Sequence, residues 1–328
     1  MNIKSKLNKL LPLLLIGIFS FIFMVLADVI ITPITPLTNI TTSNSSVLIQ
    51  MNVSTDYMKN LTWKWDGTDY VLYDPSLVLF MNFDNRSSLS ECTNNLTGCV
   101  KDLSRYGNNG TLVGSWYANG TETPEANISW TPNGKYGGAF NFSGGVNYVN
   151  ISDSDSLANN YTSMTWSFWI KDNSISSYAS AWIDKYNNGG NQRSYRIVKN
   201  YGGVSVNLAD NLLSGTTYLS SNTCGSENNK WIKLDIIYNG TALFWFKNGD
   251  LCYINNSVTQ TKIINNNYNL FIGYSIGAGT YLNGSIDDVM IFNRSLSANE
   301  ISQLYKSQLT KYDNQNWSFQ NNASDYAI

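Results

Sequence analysis

Apolar and polar residues alternate with a period of two along most of this chain, in short runs broken by Asn, Gly, Asp and Ser, and that pattern predicts strands. Residues 46–53 alternate. Leu61-Thr62-Trp63-Lys64-Trp65 then passes through Asp66-Gly67 into Tyr70-Val71-Leu72-Tyr73, which reads as a hairpin. Further runs fall at 77–84, 166–171, 181–185, 195–199, 204–208, 231–238, 242–247, 252–254 and 270–274. Asn239-Gly240 and Asn248-Gly249 supply residues that accept positive φ, so 230–249 predicts a second hairpin. A helical period appears near the end of the chain. Ser297 and Glu300 have capping-box spacing, Leu296 and Ile301 are placed as a hydrophobic staple, and Ile301, Leu304 and Tyr305 share one helical face.

Just before that helix, Asp287 and Asp288 interrupt the β-branched and aromatic run 286–292, where an uncompensated charge is costly. The pattern Gly284-Ser285-Ile286-Asp287-Asp288-Val289, followed by Phe292-Asn293-Arg294 and Leu296-Ser297 with Glu300-Ile301, resembles the end of laminin-G-like domains of the concanavalin A-like lectin/glucanase superfamily. Three other segments carry the same resemblance in the same order. They are the opening run 77–84, the loop Asp102-Leu103-Ser104 with 107–112, and the Gly-rich entry 134–142 followed by Tyr148-Val149 and 164–170. The resemblance implies an all-β fold, a jelly-roll sandwich of two antiparallel sheets over residues 76–309.

The resemblance also sets what chemistry to expect. Relatives in this superfamily often hold calcium, which takes several hard oxygen ligands. On that basis Asp287 is the first metal candidate, with Asp102, Asp84 and Asn109 nominated by the matching N-terminal motifs. The alternative for Asp287 is a structural bracket that accepts backbone N–H groups or pairs with a cation. Glucanases of the superfamily carry a Glu-x-Asp-x-x-Glu strand, and none is present here. The five glutamates are Glu91, Glu122, Glu125, Glu227 and Glu300, and there is no histidine for a nucleophile–base dyad. No catalytic residue is nominated and the chain is not expected to be an enzyme. For ligand binding, the aromatic residues Trp182, Tyr186, Tyr195 and Tyr201 lie near the amide Asn191, as a sugar-binding surface would require; the other reading of such rings is core or edge cover.

Composition adds an address. Lys4, Lys6 and Lys9 precede an apolar run from Leu10 to Ala27, so residues 1–27 read as a cleaved signal peptide or, uncleaved, as an N-terminal membrane anchor. Charged residues are 13% of the chain and the net charge is −2, with no basic patch, so nucleic acid is not an expected partner. Asn-x-Ser/Thr sequons recur, among them Asn39, Asn60, Asn95, Asn127, Asn239, Asn283 and Asn316, and these are either glycosylation acceptors or chance products of an Asn-rich chain. The four cysteines suit an oxidising compartment, with Cys92–Cys99 favoured by proximity and Cys224–Cys252 by remainder. Residues 28–75 form a β-rich segment too small to bury a core alone, and 310–328 begin a further one. The two flanks are expected to be halves of one immunoglobulin-like domain split by the jelly roll, or else a linker and a tail. The expected function is a secreted or cell-surface recognition module, in a longer chain with neighbouring domains, that binds carbohydrate or glycoprotein, with one structural calcium ion as a further expectation. A scaffold without a specific ligand and an accessory domain of an exported hydrolase are the alternatives.

Overall fold

The structure is a computed structural model that describes residues 29–35, 46–55, 58–65, 68–91, 100–114, 128–173, 180–200, 203–220, 224–225 and 227–324. The signal or anchor segment 1–27 and the Cys92–Cys99 pair lie outside the described residues. Among those described, no helix is long and apolar enough to cross a membrane. The chain divides into two compact units, one from Ser76 to Ile301 and one made of the segments up to Pro75 and from Ser302 onward.

In the larger unit, strands with one apolar face stack as two antiparallel sheets. An eight-strand sheet contains Met164–Asp172 at its middle, with Ile232–Tyr238 on one side and Asn283–Phe292 on the other. The Asn283–Phe292 strand in turn pairs with both Leu77–Met81 and Ala139–Ser143. Facing it is a seven-strand sheet in the order Thr216–Leu219, Gly203–Leu208, Gln192–Asn200, Ser180–Asn187, Leu270–Ile272, Asn147–Ile151, Gly110–Gly114. Alternation decides what lies between them. Trp166, Phe168 and Ile170 point inward from one sheet, and Tyr195, Ile197, Val204, Val206 and Leu208 from the other, forming one buried core. Cys224, beyond the edge strand of the seven-strand sheet, is bonded to Cys252 in the edge strand Asp250–Asn255 of the eight-strand sheet, as the sequence led one to expect.

In the smaller unit, segments from both flanks of the chain share one sheet. Ser46–Ser54 pairs antiparallel with Asn316–Ser324 over nine residues, and Ile30–Thr35 and Ser307–Lys311 complete a four-strand sheet. The Leu61–Trp65 and Thr68–Tyr73 strands form the expected hairpin. Trp63 lies 5.9 Å from Phe319, and Tyr73 lies 5.8 Å from Trp317, so aromatic rings from both ends of the chain share a core. Ser307–Lys311 pairs with Asn316–Ser324 at the edge of this sheet.

The helix Ala298–Lys306 starts on the expected capping box, with the Glu300 N–H donating to Ser297 Oγ and the Ser297 N–H donating to Glu300 Oε2.

Candidate functional site

The outer face of the seven-strand sheet carries a continuous row to which every strand contributes one residue. In register across the sheet, the row runs Thr111, Asn150, Phe271, Asp184, Arg196, Asn207, Thr217. These are the alternate positions to the apolar ones, so the same period that fills the core with Ile197 and Val206 sends Arg196 and Asn207 outward. Arg196 Nε donates to Asn207 Oδ1 at 3.1 Å, and Asn207 Nδ2 donates to Thr217 Oγ1. The Arg196 guanidinium also lies over the Tyr186 ring, 5.1 Å from its centre.

Beside this row stands a group of half-buried aromatic rings. Tyr148 stacks on Tyr274 at 4.9 Å, and Tyr274 stacks on Tyr281 at 4.7 Å. Phe271 meets Tyr148, Tyr268 and Tyr274 edge-on at 5.3 to 5.7 Å. Tyr274 and Tyr281 belong to a two-pair hairpin, Tyr274–Ser275 with Thr280–Tyr281, which forms a strap against the row. The strap fits closely, since a Cβ built on Gly277 would come within 2.7 Å of Arg196 Nη1. Tyr268 is fixed from behind by Lys185. Its fully buried ammonium donates to the Tyr268 carbonyl and pairs with Asp153, each at 2.5 Å.

Asp184 sits at the junction of row and strap with no exposed surface. Its Oδ1 accepts the Tyr186 N–H at 2.6 Å, while Oδ2 has no donor in hydrogen-bonding geometry. Burial pushes this carboxyl up to about 7, against the opposing pull of the Ser275 hydroxyl, the Arg196 charge and the Tyr186 N–H. The tyrosines beside it are also displaced. Burial raises Tyr148, Tyr268 and Tyr274, the last to about 12, so all three stay neutral through the physiological range.

This is not the surface that the sequence nominated. Trp182 and Tyr195 are fully buried, with Trp182 Nε1 donating to Asp172 Oδ2 and the Tyr195 hydroxyl to the Leu157 carbonyl. The correction for Trp182 has a definite cause: the register shifts between Ala181 and Ile183, and this bulge turns Trp182 and Ile183 into the same core. Tyr186 is buried beneath Arg196. Asn191 is an exposed turn residue at φ +50°, and Tyr201 lies outside the described residues. Tyr148, Phe271, Tyr274 and Tyr281 were missed. Their signal was present as aromatic residues at the outward positions of alternating runs, where a polar residue is ordinary.

The four metal nominees form two hydrogen-bonded sites with no partner in common. Asp102 accepts the N–H groups of Phe80, Ser104 and Asn108 and the Ser104 hydroxyl at 2.7 to 2.9 Å, and its own N–H donates to Asn109 Oδ1. Its lone pairs are thereby engaged by protein donors, and Asp102 and Asn109 together brace the loop. Asp84 and Asp287 clasp the Gly-rich loop 134–138: Asp84 accepts the Gly138 N–H and an Asn82 Nδ2 hydrogen, and Asp287 accepts the N–H groups of Lys135, Tyr136 and Asp288. Burial and the adjacent Asp288 and Asp84 charges together raise Asp287 well above the usual carboxylate range. Asp288 takes the left-handed φ of +46° at a bulge in the pairing with Met164–Asp172. Among the described residues no cluster of three or more His, Cys, Asp or Glu is arranged to hold a metal ion.

Comparison with known proteins places this geometry. Residues 143–302 match the laminin-G model of the concanavalin A-like lectin/glucanases superfamily. No curated protein shows a significant match to the sequence. Among solved structures, the binding domain of Paraclostridial Mosquitocidal Protein 1 aligns with a TM-score of 0.50 at 16% identity, over 70% of this chain and 52% of that one. The binding domain of botulinum neurotoxin serotype G aligns with a TM-score of 0.51 at 17% identity, over 70% of this chain and 50% of its own. The chain thus spans about half the length of these structures, and at such identity the likeness is one of fold. With its order of strands, closing Asp-Asp strand and capped helix, the larger unit is a jelly roll in which residues 143–302 match the laminin-G-like domains of the concanavalin A-like lectin/glucanase superfamily.

Proposed function

We propose that this protein is a non-catalytic extracellular recognition module that binds carbohydrate, free or on a glycoprotein, on the outer face of the seven-strand sheet. The observation that carries this reading is the half-exposed stack Tyr148, Tyr274 and Tyr281 beside a row of amide, hydroxyl and charged side chains. Sugar rings present C–H faces to aromatic planes and hydroxyls to polar groups, and a surface offering both within one sheet meets both needs. That the fold neighbours are themselves named binding domains supports the same reading.

The test is a glycan array probed with the wild type, Tyr274→Ala and Tyr281→Ala. Removing either ring is expected to weaken binding by roughly two- to tenfold, since ring stacking contributes about 0.5–1.5 kcal/mol. Unchanged binding by both variants would reject the platform. We further propose that Asp287 acts as the bracket, because its oxygens already accept three N–H groups. Chelator is then expected to leave the melting temperature and glycan binding of the wild type unchanged, while Asp287→Ala melts lower with or without it. A chelator-induced drop in the wild type that Asp287→Ala does not share would instead establish calcium at this position.

A further inference from the structure

Two polar atoms at the strap are buried without a hydrogen-bond partner, Asp184 Oδ2 and Thr280 Oγ1. Thr280 is the cross-strand partner of Ser275, whose hydroxyl lies against the Asp184 carboxyl and also accepts from Arg196 Nη1 at 3.5 Å. Buried polar atoms are normally satisfied, so a carboxylate oxygen and a hydroxyl left open under one short hairpin point to a donor and an acceptor supplied from outside. The hairpin holds only two residue pairs and turns through Gly277 and Gly279, the latter at φ +61° with open space around it. Its turn residues Ile276, Ala278 and Gly279 are exposed, so the turn can shift while the stacked rings of Tyr274 and Tyr281 keep their places.

We propose that the carbohydrate bound on this face is neutral and is read by Asp184, which accepts a sugar hydroxyl on Oδ2 while the Arg196 guanidinium donates to the neighbouring hydroxyl oxygen, the strap shifting to admit them. The reading rests on the tyrosine platform described above and adds the chemistry of its specificity. An acidic sugar would place its carboxylate against Asp184. An amino sugar would place its ammonium against Arg196. A pair of adjacent neutral hydroxyls suits a carboxylate and a guanidinium held side by side, because each hydroxyl both donates and accepts.

The arrangement makes binding depend on pH in a stated direction. An ionised Asp184 accepts a hydroxyl proton and a protonated one competes with it, so affinity rises as pH passes upward through about 7. Tyr186, Tyr195, Tyr268 and Tyr274 around Asp184 are all raised above their ordinary range and stay neutral there, the Arg196 guanidinium is the charged group beside it, and burial lowers the neighbouring Lys185 ammonium from the usual lysine range. Lys185, next in the strand, is paired with Asp153.

The experiment measures affinity for immobilised mannan, galactan and arabinan, for polygalacturonate, and for a glycoprotein with neutral N-glycans before and after deglycosylation. It uses the wild type, Asp184→Asn, Tyr274→Ala and Tyr281→Ala at about pH 5.5 and about pH 8. Wild-type affinity for the neutral probes is expected to rise about tenfold between these values. Asp184→Asn, checked for folding by circular dichroism, should bind weakly and without slope, and Tyr281→Ala weakly at both values with the slope kept. The wild-type slope stands as a test even where Asp184→Asn fails to fold. A flat wild-type profile, wild-type binding by folded Asp184→Asn, or preference for polygalacturonate would overturn the role of Asp184 and leave the platform standing. Full binding by Tyr281→Ala, with Tyr274→Ala equally unaffected, would remove the platform, and absence of wild-type binding to every probe would remove both. Loss of the glycoprotein signal on deglycosylation, with no binding to the polysaccharides, identifies the source as protein-borne glycan and keeps the inference.

Discussion

Replacing Asp102 by Ala is expected to lower the unfolding free energy by about 4 kcal/mol. The carboxylate gathers three backbone N–H groups and one hydroxyl, and the residue is 9% exposed. Each buried donor left without an acceptor costs about 1–3 kcal/mol, and water reaching the vacated space would recover only part of that. The loss propagates beyond the loop. Asn108, whose N–H is held by Asp102, uses its side chain to bond the Val78 carbonyl, so the bracket fastens the loop 102–109 to the opening strand Leu77–Met81. Asp102→Asn keeps one acceptor oxygen and turns an amide donor toward the others, so about half the effect is expected. Urea unfolding followed by tryptophan fluorescence measures both, and a loss under about 1 kcal/mol for the alanine variant would refute the bracket.

The second large effect is one of pH. Burial, with the Asp84 charge adding to it and Lys233 opposing, raises Asp288 from 3.8 to about 7. Between those values the folded chain keeps a proton that the unfolded chain has released, so stability falls as pH rises through the window. Asp287 beside it is raised in the same direction and the two carboxyls titrate together, so the adjacent pair gives a slope of about 1.4 kcal/mol per pH unit across the window. Asp184 and Glu91 are also raised by burial to about 7 and slope the same way. Asp288→Asn should therefore be neutral near pH 4 and more stable than wild type by about 3 kcal/mol at pH 8, allowing for what Lys233 loses. Asn also tolerates the left-handed φ of +46°. Unfolding curves across pH that stay parallel for variant and wild type would refute this.

The fold was largely legible because period-two alternation, Asn-Gly turns and a capping box are local signals. The hairpin around Asn239-Gly240 and the helix at Ala298 stand where those signals place them. The site was less legible because it depends on register. A single shift beside Ala181 decides that Trp182 is core and Asp184 faces outward, and no local signal announces it. The row from Thr111 to Thr217 is drawn from segments far apart in sequence, and only the strand order makes it a row. Asp287 illustrates the middle case. A charge inside an apolar strand announces a need, but whether backbone N–H groups or an ion meets it depends on where the loop 134–138 comes to rest.

The pairing of Ser46–Ser54 with Asn316–Ser324 has a consequence for how the chain comes to be folded. Gln50 and Gln320 are 270 residues apart yet share a hydrogen bond. During synthesis the first strands of the four-strand sheet are made long before their partner exists, and closing so long a loop is slow unless the intervening chain has already condensed. The jelly roll between them is therefore expected to fold first and to act as the clamp that brings the two ends into register. Until then Ser46–Ser54 presents an unpaired edge to its surroundings, and this early strand is where the nascent protein is most open to misassembly.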